Sequence, residues 1–144
     1  MYATEKTLLT PTEHLMTDSQ KEKMNQCLEW TKKWRNKLGI HPDYEINLEY
    51  HGDQEWLMWM NDDHAFYNKF GIHISSQGFD DSCNDNREMI IIHEMIHIIL
   101  WQFRKFCTTV ANEKWKEAIW DREELVVSHL ELAIARLVED SKMT

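Results

Sequence analysis

The sequence is poor in cysteine, glycine and proline, and these shortages exclude several classes of protein. Its 144 residues include three cysteines, four glycines and two prolines. The cysteines, at positions 27, 83 and 107, are isolated and odd in number, which argues against a disulfide framework and against a structural zinc knuckle. A reduced, cytoplasmic setting is therefore expected. The length predicts a single domain over residues 1–144, in which residues 1–18 form an N-terminal arm.

Positive charge is also scarce. Sixteen Lys and Arg residues face 25 Asp and Glu residues, so the net charge is −9. An acidic chain is not attracted to nucleic acid or to an anionic membrane surface, and neither is expected as a partner. The longest apolar run, residues 89–100, is interrupted by His93, Glu94 and His97 and is too short and polar to span a bilayer. Basic protein substrates remain compatible with this charge, and the oligomeric state stays open.

That interrupted run carries the clearest chemical signal of the chain. It contains His-Glu-x-x-His, with His93 and His97 four residues apart. On a helix these two imidazoles share one face, so both can bind one Zn²⁺ ion. Glu94 is rotated by about 100° from His93, which places its carboxylate beside the ion, where it can take a proton from water. Burying these polar residues among isoleucines would be costly without a ligand.

A catalytic zinc site usually has a third protein ligand, and the C-terminal segment supplies the candidates. Glu124 follows His97 by 27 residues, which leaves room for a helix to return beside the motif. However, Asp121 and Glu124 also match a capping box, in which Glu124 would bond its own helix terminus. The third ligand would then be Glu123, His129 or Glu131. Glu124 is the preferred candidate, and the other three stay open.

The remaining segments predict an α+β fold around the motif. Apolar residues at helical spacing predict an N-terminal helix over residues 19–38. Short alternating segments within residues 44–75 predict a small sheet of three or four strands, mostly antiparallel. A buried HExxH helix is expected over residues 85–106, and a C-terminal helix carrying the third ligand over residues 121–140. Four further histidines lack partners at ligand spacing and are predicted to be ordinary surface or core residues: His41, His51, His64 and His73.

The motif and the later glutamate resemble the glutamate zincins, also called gluzincins. The order of helix, short strands, HExxH helix and glutamate helix is similar to that of the compact zincin-like metallopeptidases of the ImmA/IrrE type, which are common in phages and mobile elements. Val127, Ser128 and Leu130 stand where that family has Ala, Asn and Phe after its third ligand, and Ile96 replaces a Gly. The resemblance implies a minimal zincin-like fold and a peptidase of a cytoplasmic protein, in the host cytoplasm if the chain is phage-encoded.

The expected activity is zinc-dependent hydrolysis of a protein or peptide substrate. Glu94 would act as the general base, and His93, His97 and Glu124 would bind the zinc. The substrate is expected along the last predicted strand, residues 72–75, which contains His73. A further group should contact the oxyanion or the substrate, and four residues are candidates that the sequence does not rank: Tyr67, His64, His129 and Arg122.

Two other functions stay open at this point. In the first, a non-catalytic protein-interaction module keeps the zinc on a zincin scaffold. Its site would be closed by a fourth protein ligand, His129 or Glu131. In the second, the chain binds a partner without any metal, through exposed tryptophans drawn from positions 56, 59, 101, 115 and 120.

Overall fold

The structure is a computed structural model that describes residues 6–62, 68–79 and 87–143. Within these ranges the fold is α+β, as predicted. The elements follow one another along the chain as β1 (Thr7–Leu9), α1 (Asp18–Lys37), β2 (Glu45–Tyr50), β3 (Met58–Asp62), β4 (Lys69–Ile74), a 3₁₀ turn (Ser76–Phe79), α2 (Arg87–Val110) and α3 (Glu113–Met143). They group into two compact units, Met1–Met95 and Ile96–Thr144, and α2 runs continuously through the division. The single domain stays a prediction.

The four strands form one mixed sheet in the order β1-β2-β4-β3. β1, β2 and β4 are parallel neighbours, and only β3 is antiparallel to β4. The prediction of a mostly antiparallel sheet is therefore wrong. The reason lies in the connections. α1 forms a crossover between β1 and β2, which makes these two strands parallel. β4 pairs with β2 as well as with β3, and its pairing with β2 is also parallel. β1 lies within the predicted arm, so part of that arm is a strand of the sheet.

The position of β4 corrects the predicted path of the substrate. β4 pairs with β2 on one side and with β3 on the other, so it has no free edge for strand addition. His73, on β4, lies directly opposite Glu49 of β2 and Trp59 of β3. Among the described residues, the outer strands of the sheet are β1 and β3. The sequence did not reveal this order because strand alternation carries no information on which strands are neighbours.

One face of the sheet belongs to the core of the first unit. Alternate residues of β2 and β4 are almost completely buried, as their period of two requires. Helical residues of the same unit are buried to a similar degree. The resulting core of the first unit contains Met24, Cys27, Trp34, Ile46, Leu48, Tyr50, Phe70, Ile72, Ile74, Ile91, Ile92 and Met95. The opposite face of the sheet carries Glu49, His73 and Trp59.

Two polar contacts fix the start of α2 against α1. Glu88, in the first turn of α2, accepts hydrogen bonds from Trp34 Nε1 and Lys33 Nζ, both at 2.7 Å. α1 itself begins one residue earlier than predicted, after Thr17, whose hydroxyl accepts a hydrogen bond from the Gln20 amide. The His-Glu-x-x-His motif therefore lies on a helix whose first turn is hydrogen-bonded to α1.

The second unit consists of the later part of α2 and of α3, joined by Ala111 and Asn112. The predicted end of α2 near residue 106 is wrong, because the helix continues to Val110. The predicted final helix also begins too late, since α3 starts at Glu113 and runs without interruption through residue 121. In the described part of the chain, no helix combines the length and apolarity that crossing a membrane requires.

Candidate metal centre

The two histidines of the motif lie one turn apart on α2. His97 is buried, with 7% of its surface exposed, and His93 is half-buried. Glu94 is also buried, at 8% exposure. Isoleucines 91, 92, 96 and 98 surround these polar residues along the helix and are almost completely buried. A buried segment with three ionisable groups needs compensation for their lost hydration, which a bound cation can provide.

Both ring nitrogens of His97 face carboxylates of α3. Nε2 lies 2.9 Å from Oε1 of Glu124, and Nδ1 lies 3.1 Å from Oε1 of Glu123. The side chains of two adjacent glutamates therefore contact the two different nitrogens of one imidazole ring. The sequence had offered Glu123 and Glu124 as alternative ligands, whereas the structure brings both to the same ring on different nitrogens.

Glu123 has the position of an orienting carboxylate. It is 8% exposed, and its second oxygen, Oε2, lies 3.2 Å from Nε of Arg104. A neutral His97 ring that donates from Nδ1–H to Glu123 keeps its Nε2 lone pair for a metal ion. Metal-binding histidines commonly donate their other N–H to a carboxylate in this way, which fixes the tautomer and the ring orientation. Arg104 forms an ion pair with this carboxylate and balances its charge.

Glu124 has the position of a ligand. Its side chain is 58% exposed and approaches the Nε2 side of His97. His93 precedes His97 by one turn of the same continuous helix. His93, His97 and Glu124 each offer one ligand atom, and these atoms lie within 4.8 Å of one another. Two imidazole nitrogens and one carboxylate oxygen make a donor set that fits a three-ligand zinc site.

The course of α3 removes the competing explanation for Glu124. A capping box requires Asp121 to precede the first turn of a helix. Asp121 instead lies eight residues inside α3, where the backbone amides are already bonded within the helix. The alternative in which Glu124 caps its own helix terminus is therefore wrong.

Among the described residues, the other candidates from the sequence do not join this group. His129 is exposed and donates through Nδ1 to the Leu125 carbonyl of its own helix, at 2.8 Å. Glu131 is half-buried on α3, and Arg122 is exposed beside an apolar groove of the second unit. His73 belongs to the sheet of the first unit. The remaining two candidates, Tyr67 and His64, lie outside the described residues.

Within residues 6–62, 68–79 and 87–143, the group has three members. A structural zinc site is usually closed by four protein ligands, whereas a catalytic site leaves one position for water or substrate. The buried histidine and the exposed glutamate mean that the group opens to solvent on the Glu124 side. This arrangement suits an ion that must exchange a ligand.

The contact of Glu123 with Nδ1 of His97 was missed at the level of sequence. The signal was present only as two adjacent glutamates, and their opposite contacts with one ring depend on where α3 begins. Comparison of the chain with protein-family models, with curated proteins and with solved structures finds no match.

Proposed function

We propose that this chain is a zinc-dependent metallopeptidase that hydrolyses peptide bonds of a protein substrate. One observation carries the proposal: His97 is held between Glu124 on Nε2 and Glu123 on Nδ1. This contact supplies a ligand and an orienting group to the same imidazole. A histidine that only filled the core would need one hydrogen-bond partner for each ring nitrogen, but neither partner would have to be a carboxylate that reaches the ring from solvent.

Each residue has a separate role in this proposal. His93, His97 and Glu124 hold the ion, and Glu123 and Arg104 fix the His97 ring. When bound, zinc supplies Lewis acidity that lowers the pKa of water and polarises a carbonyl group. Glu94 accepts the proton of the attacking water and passes it to the leaving amine. Glu94 is buried and directly follows His93 in the motif, which suits this role.

The test combines zinc binding with hydrolysis of a peptide library. The purified chain should bind zinc at the His93–His97–Glu124 group, and mass spectrometry should detect cleaved peptides. Glu94→Gln should lower the cleavage rate by at least about 100-fold, because a positioned general base contributes 10²–10⁴-fold. The same variant should keep its zinc, since Glu94 is not a ligand.

Glu117→Gln is the matched control, because Glu117 is an exposed glutamate of α3 outside the group. Its zinc affinity and cleavage rate should equal those of the wild type. A wild-type chain that binds zinc but cleaves no peptide would support the non-catalytic module instead and would overturn the proposal. Equal cleavage by wild type and Glu94→Gln would also overturn it.

A further inference from the structure

A second cluster of possible ligands lies on the sheet of the first unit. Glu49 on β2 is directly opposite His73 on β4, and His51 follows the last residue of β2. Nε2 of His51 lies 2.6 Å from Nδ1 of His73. Oε2 of Glu49 lies 3.7 Å from the first of these nitrogens and 3.6 Å from the second. Three donor atoms from three residues therefore converge on one point of the sheet surface.

An outer partner orients the His73 ring toward this point. Nε2 of His73 lies 2.7 Å from Oδ1 of Asn61 on β3. An amide oxygen only accepts hydrogen bonds, so Nε2 carries the proton and the lone pair of Nδ1 points toward the space between His51 and Glu49. This is the arrangement by which outer-shell groups fix the tautomer of a metal-binding histidine.

Glycine at position 71 makes that contact possible. A Cβ atom added to Gly71 would lie 2.9 Å from Asn61 Oδ1 and 3.1 Å from His73 Nε2. Both distances are too short for an ordinary contact. The Asn61 amide and the His73 ring thus lie over the backbone of β4 in space that any larger residue would occupy.

Two tryptophans enclose the imidazoles. The Trp59 ring stacks on His73 with centroids 4.1 Å apart and planes inclined by 19°. Trp56 meets His51 edge to face at 5.5 Å. His73 is 8% exposed as a result, although it lies on the sheet face opposite the core. An apolar wall around a metal site limits the access of water and sets the local dielectric.

A hydrogen-bonded histidine pair accounts for only part of this arrangement. Such a pair needs one proton between two nitrogens, and it does not need a carboxylate oxygen at about equal distance from both. We propose that Glu49 Oε2, His51 Nε2 and His73 Nδ1 bind a divalent transition-metal ion, at a site separate from the motif on α2. Two imidazoles favour Zn²⁺, Cu²⁺ or Ni²⁺ over Mg²⁺ or Ca²⁺, which prefer oxygen ligands.

The test counts Zn²⁺ ions in a chain whose helix site has been removed. His93→Gln combined with Glu124→Gln takes away two ligands of the first group and leaves the sheet unchanged. Isothermal titration with Zn²⁺ should show one ion per chain for this double variant. Adding His51→Gln should abolish that binding, and adding Glu49→Gln should weaken it at least tenfold. His51 and Glu49 are only partly buried, so circular dichroism should show an unchanged fold.

His41→Gln in the same double variant is the control, because His41 is an exposed histidine outside the cluster. It should keep one ion with unchanged affinity. With Cu²⁺ as the probe, electron paramagnetic resonance should detect two coordinated imidazole nitrogens in the double variant. The proposal is overturned if the double variant binds no ion, or if binding and the resonance spectrum survive His51→Gln unchanged.

Discussion

The two compact units bury their apolar side chains to very different extents. In the first unit, Ile46, Leu48 and Ile72 have no exposed surface. In the second, Phe103 is 69% exposed and Leu137 is 68% exposed. Burial of apolar surface is the main stabilising contribution to folding, so the first unit draws on its own core far more than the second does. In the part of the chain that the structure describes, the second unit has fewer such fully buried residues, among them Ile98 and Val127.

Each unit also contains one histidine–carboxylate cluster, and the clusters are assembled differently. In the second unit, two adjacent residues of α3 contact the ring of His97, which is the last residue of the helical His-Glu-x-x-His motif. In the first unit, Glu49 and His73 meet only because β2 and β4 are neighbours in a defined register. Helical spacing is visible in a sequence, whereas strand register requires the fold. Residue spacing in the sequence therefore predicted the cluster around His97 but not the cluster of Glu49, His51 and His73.

The largest expected effect tests the difference in burial. Ile72→Ala should lower the free energy of unfolding by about 2–5 kcal/mol, because it leaves a cavity in a filled core. Phe103→Ala removes a larger side chain but should change stability by no more than about 0.5 kcal/mol, since the ring is mostly exposed. Urea unfolding followed by circular dichroism measures both. Equal losses would contradict the contrast between the units.

The next prediction concerns Glu123, whose carboxylate lies 3.1 Å from Nδ1 of His97. Glu123→Gln keeps the shape of the side chain but removes its charge and weakens its contact with Arg104. Zinc affinity should fall about 10–100-fold, the usual consequence of losing an outer-shell partner of a metal ligand. A competition titration with a chromophoric chelator measures the change. Glu117→Gln serves as the reference, and an affinity of Glu123→Gln equal to that reference would mean that Glu123 does not orient the ring.

The sequence predicted the parts of the fold and of the site that depend on local periodicity. The HExxH helix, the N-terminal helix and the presence of a small sheet follow from spacing and alternation. Glu124 was preferred from its distance along the chain after His97, and the structure places it 2.9 Å from that ring. Its competing role as a capping residue arose because the start of the last helix was placed eight residues too late.

The missed features depend on relations between distant segments. The parallel pairing of β2 with β4 follows from the order of strands, which alternation does not encode. His51 and His73 were predicted to be ordinary histidines because they are 22 residues apart and share no helical or turn spacing. Gly71 gave no signal either, since its role depends on Asn61 and the His73 ring lying above it. Each of these features requires the sheet register before it can be interpreted.

The smallest expected effect comes from a titrating group in the core of the first unit. Burial raises the pKa of the Cys27 thiol from 9.0 to about 12, and the Arg87 guanidinium opposes this only in part. The folded chain therefore keeps a proton that the unfolded chain loses above pH 9. The stability due to the neutral thiol is complete below pH 9 and is lost as the pH rises from 9 to 12. At pH 10 the loss amounts to about 1 kcal/mol. Urea unfolding at pH 8 and pH 10 should show a smaller loss for Cys27→Ala than for the wild type, and identical losses would show that the core of the first unit does not exclude water from the thiol.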